Sequence, residues 1–184
     1  MRVTPTKLPG MVLIEPRVFR DERGFFLEMY HAPRYREHGI NTDFVQDNRA
    51  FSSRGVLRGL HFQSQHPQAK LVWVTQGEVF DVALDLRRGS STFGQWEGVL
   101  LSAENHKQVF IPAGFAHGYC VTSETADLFY KCSALYHPHE EGGVLWNDPD
   151  LAIEWPLPDP ILSDKDKKLP CLRDLETPFS LSRD

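Results

Sequence analysis

An all-β domain, closed as a sandwich, a jelly roll or a small barrel, is the fold class the sequence predicts. Three observations predict it. Short extended runs follow one another at fairly regular spacing, parted by turn residues. One run, EVFDVALDL (78–86), alternates: Phe80, Val82, Leu84 and Leu86 share one parity, while Asp81, Ala83 and Asp85 share the other. That is the pattern of a half-buried strand. Helical periodicity is scarce along the rest of the chain.

In chain order, MVLIEP (11–16) is an apolar N-terminal strand, one that could be lent to a partner chain. HAPRYREHG (31–39) is a short helix stopped by Gly39. GVLRGLHFQ (55–63) has the β-type bulk of Val56, Leu57, Leu60 and Phe62. LVWVT (71–75) is a strand ending at Gly77, the alternating run follows, and RRGSS (87–91) is a turn. WEGVLLS, QVFIP, GYCVTS and DLFYKCSALY (127–136) supply further strands. From Asn147 to Pro170 the chain is rich in proline and charge. That segment reads as an irregular arm crossing the surface, with a short helix near SDKDKK.

The 184 residues, 41% of them hydrophobic, suffice for one domain with a real core, and no linker or repeat divides them. The formal net charge of -5, with basic residues scattered, argues against a nucleic-acid partner. No apolar run reaches transmembrane length, and MRVTPTKLPGMVL lacks the apolar stretch of a signal peptide. Cys120, Cys132 and Cys171 are odd in number and form no CxxC pair. Reduced thiols and a cytoplasmic location are the simplest reading.

Chemistry concentrates in a few places. GVLRGLHFQ places Arg58, Gly59 and His61 inside an apolar run. An edge strand with a solvated arginine would account for this; so would a strand facing a cavity. Pro112-x-Gly114-x-x-His117 resembles the second motif of the cupins, small jelly-roll barrels in which that histidine often binds metal. The earlier cupin ligands form an HxH pair, whereas His61 and His66 are five apart. Metal binding is therefore the weaker reading, kept alive by Glu78 and His117. An acid–base site is the alternative. His61 is a base suited to neutral pH, and Lys70 could stabilise an oxyanion. Tyr130 and Tyr136 are possible proton donors, and Arg23 and Arg58 could grip a phosphate. Each of these, taken alone, is equally at home on a solvated surface or in a core.

A specific resemblance goes further. DERGFF (21–26), FVQDN (44–48), GVLRGLHFQ, KLVWVTQGEVFDVALDLR (70–87), STFGQW (91–96), LSAEN (101–105), IPAGFAHGY (111–119), LWNDPDLAIEWP (145–156) and LSDKD (162–166) stand in order along the chain. Together they resemble the dTDP-4-dehydrorhamnose 3,5-epimerase family. The resemblance implies a cupin-like jelly-roll barrel with short peripheral helices and an irregular C-terminal arm. It also implies a homodimer that needs no cofactor or catalytic metal. The implied substrate is dTDP-4-dehydro-6-deoxy-D-glucose, and the implied product, dTDP-4-dehydro-L-rhamnose, feeds cell-surface polysaccharides.

By that resemblance His61 is the base, Asp166 its partner, Tyr130 the acid and Lys70 the cation near the C4 oxygen. Arg23 and Arg58 match residues holding the nucleotide and its phosphates, and Gln46 and Asn48 match polar residues of the site. His117, Tyr136 and Glu141 also fall at binding positions. Arg49 and Ala50 depart from the family's usual histidine and serine, and Leu135 replaces a frequent tyrosine. Arg49 would then be free to add a phosphate contact. Strict alternation would set Arg58 and His61 on opposite faces, so a bulge or twist is expected at Gly59. A relative that inverts only C3 or only C5, a metal-dependent cupin and a non-catalytic sugar-nucleotide binding module are the competing readings.

Overall fold

The computed structural model describes residues 1–181. Two antiparallel sheets face each other. The larger has the order β1 (Arg2–Pro5), β2 (Val12–Glu15), β10 (Gln108–Ile111), β7 (Lys70–Gln76), β12 (Thr125–Cys132) and β5 (Gln46–Ser53). The other has the order β13 (Glu141–Gly143), β6 (Leu57–Gln63), β11 (Phe115–Val121), β8 (Glu78–Asp85) and β9 (Trp96–Ser102). Sequential neighbours such as β7 and β8 lie in different sheets, so the chain wraps back and forth as a jelly roll. A separate hairpin, β3 (Val18–Asp21) with β4 (Gly24–Leu27), carries the DERG turn.

Three apolar layers follow. Between the sheets, Val72, Val109 and Leu128 meet Val79, Ala83 and Val121. Outside the larger sheet, Ile14, Leu71 and Phe110 are covered by Tyr35 of the one α-helix described, α1 (Ala32–Glu37). His31 caps the start of that helix, accepting from the Arg34 amide, and Gly39 at φ +83° lies just beyond its end. Outside the smaller sheet, Val82, Leu84 and Leu86 are covered by Leu151, Phe179 and Trp155 from the C-terminal part of the chain.

This third layer corrects the reading of 78–86 as half-buried. Every residue from Val79 to Leu86 except Phe80 is buried. Both faces of the strand are covered, one by the opposite sheet and one by the arm. The buried carboxylates are tolerated because they are bonded: Asp85 accepts from Arg87, Ser90 and Thr92, and Asp81 pairs with His117.

The arm is irregular, as expected, but it is stitched down. Leu57 donates to the Ile161 carbonyl at 3.0 Å and Ile161 to Gly55 at 2.7 Å. Leu145 donates to Pro170 at 2.8 Å. The turn of helix expected near SDKDKK is a short 3-10 turn, Asp166–Lys168. The strand MVLIEP pairs within its own chain, between β1 and β10.

Candidate active site

A cavity of about 510 Å³ opens between the sheets, floored by β6 and β11 and closed on one side by the arm. β6 breaks its period where Gly59 predicted. His61 pairs with His117 and Arg58 with Tyr119, so three steps on β6 span two on β11. The extra residue turns Arg58 and His61 onto the same side, and both line the cavity. Gly59 lies at φ +128°, and the Gly59–Leu60 peptide is cis. A Cβ on Gly59 would sit 2.5 Å from the Gly118 Cα and 2.8 Å from the His117 carbonyl oxygen. Only glycine allows the two strands this close.

His61 Nε2 lies 2.7 Å from Asp166 Oδ1. A carboxylate can only accept, so Nε2 carries the proton and Nδ1 keeps the free lone pair. Asp166 is held from three directions: it bonds His61, accepts weakly from the Gly59 amide at 3.4 Å, and its own amide donates to Ser163 Oγ at 3.0 Å. Burial pushes its carboxyl up, but the His61 hydrogen bond and charge outweigh this and leave it below the ordinary aspartate value. The arm therefore does more than cover the barrel: residues 161–166 bring the carboxylate to His61.

Opposite this pair, β12 and β7 present Tyr130 and Lys70. The Lys70 ammonium sits 5.7 Å from the centre of the Tyr130 ring. Burial drives the Tyr130 phenol up to about 12 and the Lys70 ammonium down. Tyr130 thus keeps its proton at ordinary pH, and Lys70 is a desolvated amine whose charged form burial disfavours. Glu141 lines the cavity, accepts from the Tyr136 hydroxyl at 2.6 Å and pairs with Lys165 at 2.5 Å. Arg58 is steadied by Ser52 Oγ at 3.1 and 3.2 Å.

Other expected residues stand differently. Gln46 and Asn48 bond each other at 3.0 Å, and Gln46 accepts from the Tyr136 amide at 2.9 Å. On their face of β5 it is Ala50 that reaches the cavity wall. Tyr136 is half exposed and touches the cavity through Glu141. Arg23 lies outside the cavity, at the tip of the exposed hairpin, with its guanidinium on Asp21 at 2.5 Å. Arg49 clasps Asp127 through Nε and Nη2, the latter at 2.6 Å, and lies 5.6 Å from the centre of the Phe129 ring, outside the residues that line the cavity. His66 is on the β6–β7 loop with Glu140, and Glu78 is bonded to Thr122. Neither joins His61 or His117.

Two residues beyond the expected set complete the site. Asp81 holds His117 Nε2 at 2.8 Å, a second buried imidazole–carboxylate pair. Tyr119 lines the cavity with its hydroxyl buried and without a hydrogen-bond partner among the described residues. Asp81 was visible as a charge repeated in an apolar strand, and Tyr119 as the last residue of the GFAHGY block.

Sequence and structure comparisons converge with this geometry. The family model described as dTDP-4-dehydrorhamnose 3,5-epimerase matches residues 5–174. The chain belongs to the dTDP-4-dehydrorhamnose 3,5-epimerase family. A dTDP-4-dehydrorhamnose 3,5-epimerase of Pseudomonas aeruginosa is 55% identical over 170 residues, covering 91% of this chain and 94% of the relative. One from Methanothermobacter thermautotrophicus is 51% identical over 176 residues, covering 94% and 95%. Among solved structures, a dTDP-6-deoxy-D-glucose-3,5-epimerase from Legionella pneumophila in complex with dTDP-4-keto-L-rhamnose is similar at a TM-score of 0.93. It is 52% identical, and the match covers 95% of this chain and 94% of that one. The cupin-like all-β fold of the epimerase family is thus the fold of this chain.

Proposed function

We propose that this member of the epimerase family inverts C3 and C5 of dTDP-4-dehydro-6-deoxy-D-glucose, giving dTDP-4-dehydro-L-rhamnose for dTDP-L-rhamnose synthesis. The observation that carries the reading is one cavity holding a carboxylate-backed imidazole, a buried phenol and a desolvated lysine.

The C4 ketone acidifies the protons on C3 and C5. His61 Nδ1 takes one of these protons, and the electron pair of the broken C–H bond moves onto the C4 oxygen as an enolate. Lys70 stabilises that negative charge. Tyr130 gives its hydroxyl proton to the opposite face of the same carbon, and the carbon inverts. The Tyr130 phenolate then recovers a proton and His61 releases one, so the protein returns to its starting state before the second carbon reacts. The Asp166 carboxylate stabilises the imidazolium formed in between. No electron leaves the sugar, so the chemistry calls for no redox cofactor.

Arg58 suits the nucleotide phosphates at the cavity mouth. His117, fixed by Asp81, and Glu141 suit sugar hydroxyls. Gln46, Asn48 and Tyr136 act as the support behind Glu141 and the cavity wall. The chain works as a homodimer in this reading. The hairpin β3–β4 exposes Phe19, Phe25 and Phe26, with Phe26 68% exposed. That apolar surface supports burial against a second copy. Its tip is also where Arg23 stands, so a second copy is what would carry Arg23 towards a nucleotide. Three free cysteines support a cytoplasmic setting. Among the described residues no helix is long and apolar enough to cross a membrane.

The test is conversion of dTDP-4-dehydro-6-deoxy-D-glucose by the purified protein, with the ring configuration of the product read by NMR. The L-rhamno product is expected from the wild type and not from Tyr130→Phe. A product inverted at one carbon would reassign the chain to single epimerisation, and an unchanged sugar would refute the reading.

A further inference from the structure

One cluster of metal-binding side chains plays no part in the chemistry above. His66 lies on the loop after β6, while His137 caps and Glu140 ends the 3-10 turn Pro138–Glu140 that leads into β13. One nitrogen from each imidazole and one carboxylate oxygen lie within 4.8 Å of one another. We propose that His66, His137 and Glu140 form a binding site for a divalent transition-metal ion of the zinc type, outside the cavity lining and separate from His61 and His117.

The donor set argues for this class of ion. Two imidazoles and one carboxylate suit zinc and its neighbours, whereas magnesium and calcium take oxygen ligands. The distances agree. Bonds of about 2.0–2.1 Å in a tetrahedron set donor atoms roughly 3.3 Å apart. Glu140 Oε1 is 2.8 Å from His66 Nδ1 and 3.9 Å from His137 Nδ1. These two separations bracket the required one; the third, between the imidazole nitrogens, lies within 4.8 Å, so the donors draw together by up to about 1.5 Å on binding. The His66 and His137 rings stack at 4.5 Å with 24° between their planes, so one ring must turn for both in-plane lone pairs to face a single ion. Their side chains are 55% and 44% exposed, leaving a water-accessible side for a further ligand.

The backbone under the donors is fixed in advance. Gln63, buried at the end of β6, donates to the carbonyls of His66 at 2.8 Å and Leu135 at 3.0 Å. Its own carbonyl accepts from the His137 amide at 2.6 Å. Ser64 donates through its amide and hydroxyl to the Glu140 carbonyl at 3.0 and 3.2 Å. One glutamine and one serine thus hold the two donor-bearing segments together, which lowers the entropy lost on binding. With no ion bound, the proton on His66 Nδ1 fills the gap to the Glu140 carboxylate. A metal on Nδ1 takes the place of that proton, and the neutral imidazole then carries its hydrogen on Nε2.

A bound ion would clamp the β6–β7 loop to the segment that continues into Glu141 on the cavity wall. The test uses the full chain, stripped with a chelator and titrated with Zn²⁺ by calorimetry. Binding of Co²⁺ is followed in parallel through its visible absorption. One ion per chain is expected, with no competition from Mg²⁺. His137→Ala, which keeps every backbone bond of the loop, should weaken binding by at least about tenfold, and so should Glu140→Gln. His38→Ala should not. Zn²⁺ should raise the melting temperature of the wild type and not of His137→Ala. Absence of binding, or equal binding by wild type and both variants, overturns the proposal.

Discussion

Gly59→Ala tests whether the kink in β6 builds the site. The new methyl would lie 2.5 Å from the Gly118 Cα and 2.8 Å from the His117 carbonyl oxygen, and both neighbours are backbone. Neither can swing aside, so the strands must part. Overpacking of this kind costs about 1–3 kcal/mol. A side chain at φ +128° adds a further cost of roughly 1–3 kcal/mol. Gly24 isolates the second part: it has the same φ of +128°, and nothing lies within 4 Å of its Cβ position. Gly24→Ala therefore measures the backbone cost alone, and the difference between the two variants measures the close approach. By thermal or urea unfolding, Gly59→Ala should lose about 2–6 kcal/mol and Gly24→Ala about 1–3 kcal/mol. Each kcal/mol lowers Tm by roughly 2–4 °C in a chain of this size. Parting β6 from β11 also moves His61 and Arg58 relative to His117, so turnover in Gly59→Ala should fall by about 100-fold. If Gly59→Ala melts with Gly24→Ala and retains its turnover, the contact with Gly118 does not shape the site.

Two further outcomes follow from charges whose surroundings are on view. Asp85 is fully buried, and burial, which raises its carboxyl, is outweighed by hydrogen bonds from Arg87, Ser90 and Thr92 that bring it to about 2. A folded value below the unfolded one stabilises the protein above about pH 4, and that contribution disappears as pH falls through about 2. Asp85→Asn should cost about 2 kcal/mol near neutrality and flatten the acid limb of the stability curve; an unchanged curve would contradict the assignment. Lys70, lowered by burial, neutralises before Tyr130 does as pH rises. The alkaline fall of kcat/KM should belong to Lys70, and Lys70→Arg should shift it upward while lowering the rate. An alkaline limb that stays in place would remove Lys70 from the rate-determining charge.

Much of the site was legible because its residues sit in short contiguous runs. Arg58, Gly59 and His61 conflicted with the apolar strand around them, and that conflict pointed to a cavity and a bulge. Lys70 and Tyr130 reach the same cavity because β7 and β12 are paired, a tertiary fact that periodicity does not carry. Asp166 is more than a hundred positions from His61, and only the stitching at Ile161 brings it there. The half-buried reading of 78–86 failed because the polar parity of that strand faces the opposite sheet rather than water, with its carboxylates paired inside the protein. Arg49 shows the same limit. Its ion-pair partner Asp127 lies on the adjacent strand, a pairing that the sequence does not reveal. Arg23 stays apart from the cavity because it stands on the exposed β3–β4 hairpin, whose position no local pattern in the sequence gives.

The most direct measurement is deuterium wash-in. The protein is incubated with dTDP-4-dehydro-6-deoxy-D-glucose in D2O, and the label is located by NMR, beside a no-enzyme sample and His61→Ala. Label at both C3 and C5, lost in His61→Ala, is the predicted result. Label retained at the wild-type rate in His61→Ala, or no label above the no-enzyme sample, would contradict the central role assigned to His61.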